Sequence, residues 1–207
     1  MKKKITAIFL CVALVAIAIV GASLAYFTDT KTAENTFTMG NVEIKLDETD
    51  VTNPEGNRVA TNRYTNVRPG VAVTKDPIVY NTGSNDAYIR AKVEVKGWKD
   101  TCKLATGYMD GMEMKNTLAL LIDKLDDNWE IKGVEDNGND VTFVLKYTEK
   151  LAVNTKTPAM FNEVTVPAGI KNEGSFGPIN ITAQAIQADS FADWEAAFTA
   201  FDTPTGN

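Results

Sequence analysis

A run of nine residues near the middle of the chain constrains the fold more than any other feature. Apolar side chains occupy every second position of residues 87–95, and polar or amphipathic side chains occupy the positions between them. Successive side chains of a β-strand point to opposite faces of a sheet, so this period of two predicts a half-buried strand. The apolar positions are Ala87, Ile89, Ala91, Val93 and Val95.

Further short, β-rich segments lie on both sides of this run. They are residues 42–46, 71–73, 78–80, 129–131, 141–145, 164–166 and 179–188. Turns rich in glycine, proline and asparagine separate many of them, and the polar residues 48–66 predict a long loop. Short strands without alternating helices favour an antiparallel arrangement over a parallel α/β sheet. The predicted fold is therefore mainly β: an antiparallel, jelly-roll-like β-sandwich with two or so short helices.

Two segments have helical patterns. One apolar stripe predicts an amphipathic helix over about residues 112–126. Its members are Met114, Leu118, Leu121, Ile122 and Leu125. Ser190 can cap a second helix, with Asp193 at the capping-box position. The aromatic residues of that segment then share one face, which indicates packing on the sandwich rather than a ligand-binding surface. They are Phe191, Trp194, Phe198 and Phe201.

The first 25 residues have the pattern of a secretory signal peptide. Three lysines precede an apolar run over residues 5–20, and small side chains follow at Ser23 and Ala25. This order predicts cleavage between Ala25 and Tyr26. The alternative is an uncleaved membrane anchor, for which the apolar run is at the short end of the usual length.

Composition excludes several kinds of chemistry. The chain contains no histidine, so Ser-His-Asp triads, Cys-His pairs and histidine-ligated zinc motifs are all impossible. The formal net charge is -6, which disfavours binding to nucleic acid through a basic groove. The chain has neither a phosphate-binding glycine loop nor a CxxC motif. We therefore predict no catalytic, cofactor-binding or metal-binding site and no nucleic-acid partner.

One cysteine remains after the predicted cleavage, because Cys11 lies inside the apolar run of the signal peptide. Cys102 cannot form an internal disulfide on its own. It is a reactive thiol, an intermolecular bridge or a small half-buried side chain, and the last interpretation is preferred.

Two acidic clusters have alternative interpretations. Residues 135–140 are acidic enough to suggest a calcium loop, but their spacing departs from the EF-hand template. Because Asn137-Gly138 lies between two β-rich segments, a hairpin tip is favoured there. Asp47, Glu48 and Asp50 form the second cluster, which we predict to be a solvated strand end.

Three motifs together resemble the TasA/camelysin family of secreted proteins from Gram-positive bacteria. Residues 24–29 read LAYFTD and residues 35–42 read NTFTMGNV, similar to the family's mature N-terminus. Residues 68–90 resemble its PGD…K…NTG…YVR segment, with Val71 where aspartate often follows the Pro-Gly pair. Residues 181–189 are similar to its closing strand.

The resemblance implies a secreted protein of the biofilm matrix or cell surface that assembles head to tail with copies of itself into fibres. It also implies processing by a dedicated signal peptidase of the SipW type and allows an accessory anchor or matrix protein as a partner. In the family, the N-terminal segment of one subunit completes the sheet of the next. The implied organisation is a signal peptide at residues 1–25, a donor strand at 26–40 and a β-sandwich domain at 41–207. Phe27, Phe37 and Met39 are the candidate side chains that enter the neighbouring subunit.

Residues 26–40 also fit this role by their own chemistry. The segment is rich in threonine, which suits extended structure, and its ends are aromatic or apolar while its centre is polar. The alternative is an ordinary edge strand or a flexible arm. Two other functions remain open: a camelysin-like surface metalloprotease, for which a histidine-free chain lacks the usual zinc ligands, and a monomeric surface adhesin or binding sandwich.

Overall fold

The alternating run at residues 87–95 forms an inner strand of a four-stranded antiparallel sheet. The computed structural model describes residues 41–171 and 176–203, which all belong to one compact unit within Gly40–Asn207. The strands in these residues are β1 (Ile44–Asp47), β2 (Ala72–Thr74), β3 (Ile78–Asn81), β4 (Ala87–Val95), β5 (Trp129–Asn137), β6 (Asp140–Tyr147), β7 (Glu163–Thr165) and β8 (Ile179–Gln187).

These strands form three antiparallel sheets. The largest has the strand order β5-β6-β4-β8, and two smaller sheets pair β1 with β3 and β2 with β7. In the large sheet, Val93 lies opposite Phe143 of β6 on one side and opposite Ile181 of β8 on the other. The mainly β, antiparallel prediction is confirmed, and the strand order is consistent with a jelly roll.

One hydrophobic core joins the three sheets. Val93 of β4 and Phe143 of β6 are fully buried in it, together with Val79 of β3 and Val164 of β7. The apolar positions of β4 face this core, as the period of two predicts. The opposite face of β4 is less exposed than alternation alone suggests, because the C-terminal helix covers Tyr88 and Arg90.

The hairpin between β5 and β6 confirms the interpretation of residues 135–140 as a hairpin tip. Asn137 lies opposite Asp140, so Gly138 and Asn139 form a two-residue loop. Gly138 has a φ of 65°, a left-handed conformation that glycine adopts without strain and that suits the first central position of a hairpin turn.

The helix predicted over residues 112–126 is wrong in extent and type. The structure has a 3₁₀ helix at Met114–Leu120. Ile122 then makes a β-bridge to Val164, which draws the backbone away from a helical path. The apolar stripe nevertheless marks core positions, since Leu118, Leu121 and Ile122 are all buried.

Two α-helices lie in the described residues, together with 3₁₀ turns at Cys102–Leu104 and Ala188–Ser190. Helix α1 (Trp98–Thr101) is a single turn, and α2 (Trp194–Asp202) packs on the outer face of the large sheet. The predicted start of the second helix at Ser190 is wrong. Asp193 is itself the N-cap, and its carboxylate accepts a hydrogen bond from the Ala196 N–H at 2.8 Å.

The predicted aromatic packing holds for part of the stripe. Trp194 and Phe198 are buried against the sheet, whereas Phe201 at the end of α2 is 53% exposed. Within the parts of the chain that the structure describes, no helix has the length and apolar character needed to cross a bilayer.

Candidate functional site

The residues predicted to mediate cleavage and assembly precede the described part of the chain. Ala25, Tyr26, Phe27, Phe37 and Met39 all lie outside the described residues. Their roles remain predictions. The structure describes the surface of the domain to which a donor strand would bind.

The chain that follows this segment is held firmly on a turn. The Asn41 N–H donates to Ser84 Oγ at 3.0 Å, and the Ser84 N–H donates back to the Asn41 carbonyl oxygen at 3.0 Å. A side chain at Gly83 would come within 2.7 Å of the backbone of Asn41 and Glu43, so this close approach requires glycine. These contacts therefore fix the position of Asn41, the residue that follows the segment 26–40.

The outer edge of β8 has hydrogen-bonding groups that no strand of residues 41–171 or 176–203 pairs with. The Ala188 N–H donates to the Asp86 carbonyl oxygen, and the Lys96 N–H donates to the Pro178 carbonyl oxygen. The main-chain N–H and C=O groups of the even-numbered positions therefore point towards β4. Because main-chain groups alternate along an antiparallel strand, the odd-numbered positions direct theirs outwards. They are Ile179, Ile181, Ala183, Ala185 and Gln187.

The side chains of β8 do nothing to block strand addition at this edge. The strand reads INITAQAIQ over nine residues, with no charged residue, no proline and no glycine. Natural proteins protect long sheet edges with charges, prolines and bulges, and β8 has none of these features. The uncharged sequence is also the signal from which this edge could have been recognised before the structure.

The opposite edge of the same sheet is protected. Strand β5 has a β-bulge between Ile131 and Gly133, and it carries several charged side chains. Lys132, at the bulge, forms an ion pair with Glu195 of α2 at 3.0 Å. The two edges of the sheet therefore differ in their capacity to accept another strand.

A groove of about 1120 Å³ runs beside the start of β8. Its apolar lining includes Leu46 of β1, Val73 of β2, Val164 of β7 and both Ile179 and Ile181 of β8. Most of these side chains are only partly buried, although they pack against the main core. The groove thus offers apolar surface next to a strand edge that no other described strand pairs with.

A buried ion pair lies in the wall of this groove. Lys75 Nζ lies 3.0 Å from Glu48 Oε2 and 3.1 Å from Glu48 Oε1, and each residue is only 7% exposed. The Lys75 ammonium lies 5.7 Å from the centre of the Tyr64 ring. The Tyr64 hydroxyl donates to the Thr74 carbonyl oxygen at 2.8 Å, and burial raises the pKa of this phenol.

A second set of charges holds the loop that forms the outer wall. The Arg58 guanidinium donates to Asp47 Oδ1 at 3.0 Å and to Asp76 Oδ2 at 2.7 Å. Burial opposes the charged form of Asp76, but hydrogen bonds from Arg58 and Thr49 outweigh it and lower the pKa of that carboxyl.

These contacts correct the prediction for the acidic cluster. Asp47 is 2% exposed and Glu48 is 7% exposed, so neither belongs to a solvated strand end. Asp47 pairs with Lys45 of the same strand at 2.6 Å. Its other partner, Arg58, and Lys75, the partner of Glu48, are 11 and 27 residues further along the chain. No local pattern in the sequence indicates these two distant pairings.

Other polar residues of the family-like motif have structural roles. Asn81 donates to the carbonyl oxygens of Asn85 and Leu151, and its Oδ1 accepts the Gly83 N–H. Arg90 makes paired hydrogen bonds to the Asp202 carboxylate at 2.6 and 2.7 Å. The motif therefore builds the framework of the domain. It also contributes Lys75 to the groove wall, and its Asp76 holds Arg58.

Comparison with known protein families supports the resemblance. The model of the camelysin metallo-endopeptidase family matches residues 1–105. This chain belongs to the camelysin family. The matched part includes the predicted signal peptide, residues 26–40 and strands β1 to β4, whereas the similarity at residues 181–189 lies beyond it. No curated protein and no solved structure matches the chain.

The camelysin family is one of metallo-endopeptidases, and a catalytic metal ion requires a set of donor atoms in the chain. The chain has no histidine, and no three acidic or cysteine side chains come together as ligands anywhere in residues 41–171 and 176–203. The buried acids Asp47 and Glu48 are already neutralised by Arg58 and Lys75. The described residues therefore do not fit a catalytic zinc site.

Cys102 likewise has the environment of a structural residue. Its side chain is 1% exposed, and its thiol lies 3.5 Å from the Lys99 carbonyl oxygen. Burial raises the pKa of the thiol, which keeps it protonated and unreactive at neutral pH.

Proposed function

We propose that the mature protein is a secreted structural subunit that polymerises head to tail into extracellular fibres by N-terminal strand addition. In this proposal, residues 26–40 of one subunit add to the outer edge of β8 in the next and place side chains in the adjoining groove. The observation that carries the proposal is the edge of β8: an uncharged strand of nine residues, five of which direct their main-chain groups outwards, beside an apolar groove. Strand addition of this kind takes its affinity from main-chain hydrogen bonds and its specificity from alternate side chains.

The length of the N-terminal segment fits this edge. Residues 26–40 are fifteen residues, which span about 50 Å when extended, at roughly 3.4 Å per residue. The nine residues of β8 span about 30 Å on the same basis. A donor strand can therefore cover the whole edge and still leave a short connection to Asn41, where the chain is anchored to its own domain.

The apolar side chains of the segment are suited to burial beside this edge. Phe27, Phe37 and Met39 occupy odd positions and therefore share one face of an extended strand. Burial of each such side chain contributes about 1.5–3 kcal/mol. Added to the main-chain hydrogen bonds, this is enough to decide between a filament and free monomers.

The geometry of the contact predicts a filament rather than a closed dimer. The donor segment and the acceptor edge are different surfaces of the subunit, so each contact leaves one free segment and one free edge. Such heterologous contacts continue indefinitely unless their rotation closes a ring. The protected edge of β5 would prevent branching at the other side of the sheet.

Deletion of residues 26–36 tests the proposal. This change removes Phe27 and most of the donor segment, and we expect a folded, soluble monomer that keeps its thermal unfolding transition. Negative-stain microscopy and light scattering of the mature protein would show fibres, and those of the deletion variant would show none. Fibres of normal length from the deletion variant would disprove strand donation. Unfolding of the variant would instead show that the segment is a strand of its own domain.

The family description supports a surface metallo-endopeptidase as the second candidate function. The donor atoms of the described residues do not favour it, and we therefore infer that the protein is not an enzyme.

A further inference from the structure

We propose that the basic rim of the groove, formed by Arg63 and Lys171, selects the incoming strand by pairing with Asp29 of the neighbouring subunit. This inference rests on the proposed assembly and identifies the residues that set its register. It concerns a different interaction from the apolar burial of Phe27, Phe37 and Met39.

The rim consists of positive charges that no acid of residues 41–171 or 176–203 neutralises. Arg63 and Lys171 both line the groove, and both are exposed. Within the part of the chain that the structure describes, neither forms an ion pair, whereas twelve other lysine and arginine residues do. In an acidic protein, a groove with two such cations is suited to an acidic partner.

Three polar side chains in the wall of the groove are already paired. Glu48 and Lys75 pair with each other, and the Asn62 side chain accepts from the Val51 N–H and donates to the Thr49 carbonyl oxygen. The charges that remain for a partner are therefore those of the rim.

The donor segment carries an acid on the face that would meet this rim. When Phe27 and Phe37 point into the groove, every odd position of residues 26–40 points the same way. Asp29 is one of these positions, and this explains why the centre of the segment is too polar for an ordinary core strand. A carboxylate turned towards an apolar groove is costly unless a cation pairs with it. Lys31 lies on the same face, and its long stem allows its ammonium to reach solvent.

This pairing would fix the register of the added strand. A slip of one residue turns Asp29 to the opposite face together with all the apolar side chains. A slip of two residues keeps the faces but moves the carboxylate by about 7 Å along the groove, away from the cations. The groove would therefore discriminate between this segment and other threonine-rich strands.

Charge exchange tests the inference in the full mature chain. We expect the double substitution R63E/K171E to raise the critical concentration for fibre formation at least tenfold. The triple variant D29K/R63E/K171E should bring it back towards the wild-type value, because the pair is restored with opposite signs. Arg68→Glu is the matched control, since Arg68 is also exposed but does not line the groove, and it should change the critical concentration less than twofold.

The alternative results separate the two proposals. If wild-type fibres form and R63E/K171E assembles equally well, the inference is wrong while strand donation stands. Loss of assembly that D29K does not restore also overturns the pairing with Asp29. Circular dichroism of each variant verifies folding. The single substitution D29K leaves the described domain unchanged, and it must also weaken assembly at least tenfold. Absence of fibres from the wild-type protein would overturn both proposals.

Discussion

At the scale of single residues, polar side chains of the family motif stabilise the domain through hydrogen bonds and ion pairs. Asp76 receives hydrogen bonds from Arg58 and Thr49, and Lys75 is bound by Glu48. A buried charge that loses its partner is strongly destabilising, whereas an exposed pair contributes little. These contacts give the polar residues of the motif a structural role.

We expect Arg58→Met to lower the free energy of unfolding by about 2–4 kcal/mol at neutral pH. The change keeps much of the side chain's volume but leaves Asp47 and Asp76 without the guanidinium. Chemical denaturation would measure the loss. Lys115→Met is the control, because Lys115 pairs with Glu113 in solvent, where 59% and 67% of the two side chains are exposed. This substitution should change the free energy of unfolding by less than about 0.5 kcal/mol.

The same substitution should flatten the dependence of stability on acid. The pKa of Asp76 is lowered in the folded protein, so its contribution is complete above the pKa of the unfolded chain, near 4. That contribution is lost as the pH falls through the folded value. Wild-type protein should therefore lose stability below about pH 4 more steeply than Arg58→Met. Parallel curves for the two proteins would contradict this assignment.

At the scale of elements, the two edges of the large sheet differ in a way that bears on assembly. Strand β8 is uncharged and regular, whereas β5 is bulged and charged. An unpaired edge with the properties of β8 is a template for another strand. The direction of each main-chain N–H then provides a selective way to block one edge without disturbing the pairing inside the sheet.

Proline substitution should distinguish the edges. The Ala183 N–H points outwards from β8, so Ala183→Pro removes a donor from the proposed acceptor edge and leaves the pairing with β4 intact. We expect a folded protein that no longer forms fibres, measured by circular dichroism and electron microscopy. Asp136→Pro is the control, since the hairpin register directs the Asp136 N–H outwards from β5. Loss of fibres in the control alone would place the acceptor edge on β5.

At the scale of the whole molecule, the proposed function depends on when the donor segment becomes free. An attached signal peptide would hold residues 26–40 at the membrane and prevent their transfer to another subunit. Cleavage would then permit polymerisation.

Export should therefore produce a defined N-terminus. We expect the secreted protein to begin at Tyr26, because the small side chains of Ser23 and Ala25 fit the pocket of a signal peptidase. Intact-mass measurement of the secreted form verifies this. A secreted protein that retains Lys2 to Lys4 would contradict the cleavage and the model of assembly that depends on it.

Purified mature protein should hydrolyse no protein substrate. The chain lacks histidine, and the acids that line the groove are engaged by Arg58 and Lys75. A casein assay with and without a chelator measures this. Chelator-sensitive hydrolysis would show that the peptidase named in the family description is the activity of this chain.

Several features of the protein could be derived from the sequence because they depend on local periodicity. The strand at residues 87–95 follows from a period of two, and the hairpin follows from Asn137-Gly138 between two β-rich segments. The stripe that contains Leu118 and Leu121 identified core residues, although not the type of helix. The absence of histidine excluded whole classes of catalysis without any knowledge of the fold.

The tertiary structure alone decided the features that depend on distant partners. Ile122 leaves a helical path because it bridges to Val164, and Asp47 is buried because Arg58 reaches it. The groove likewise forms only where β1, β2, β7 and β8 meet. Local sequence sets the period of side chains along one strand, but contacts between distant segments determine which edge stays open and which charges are buried.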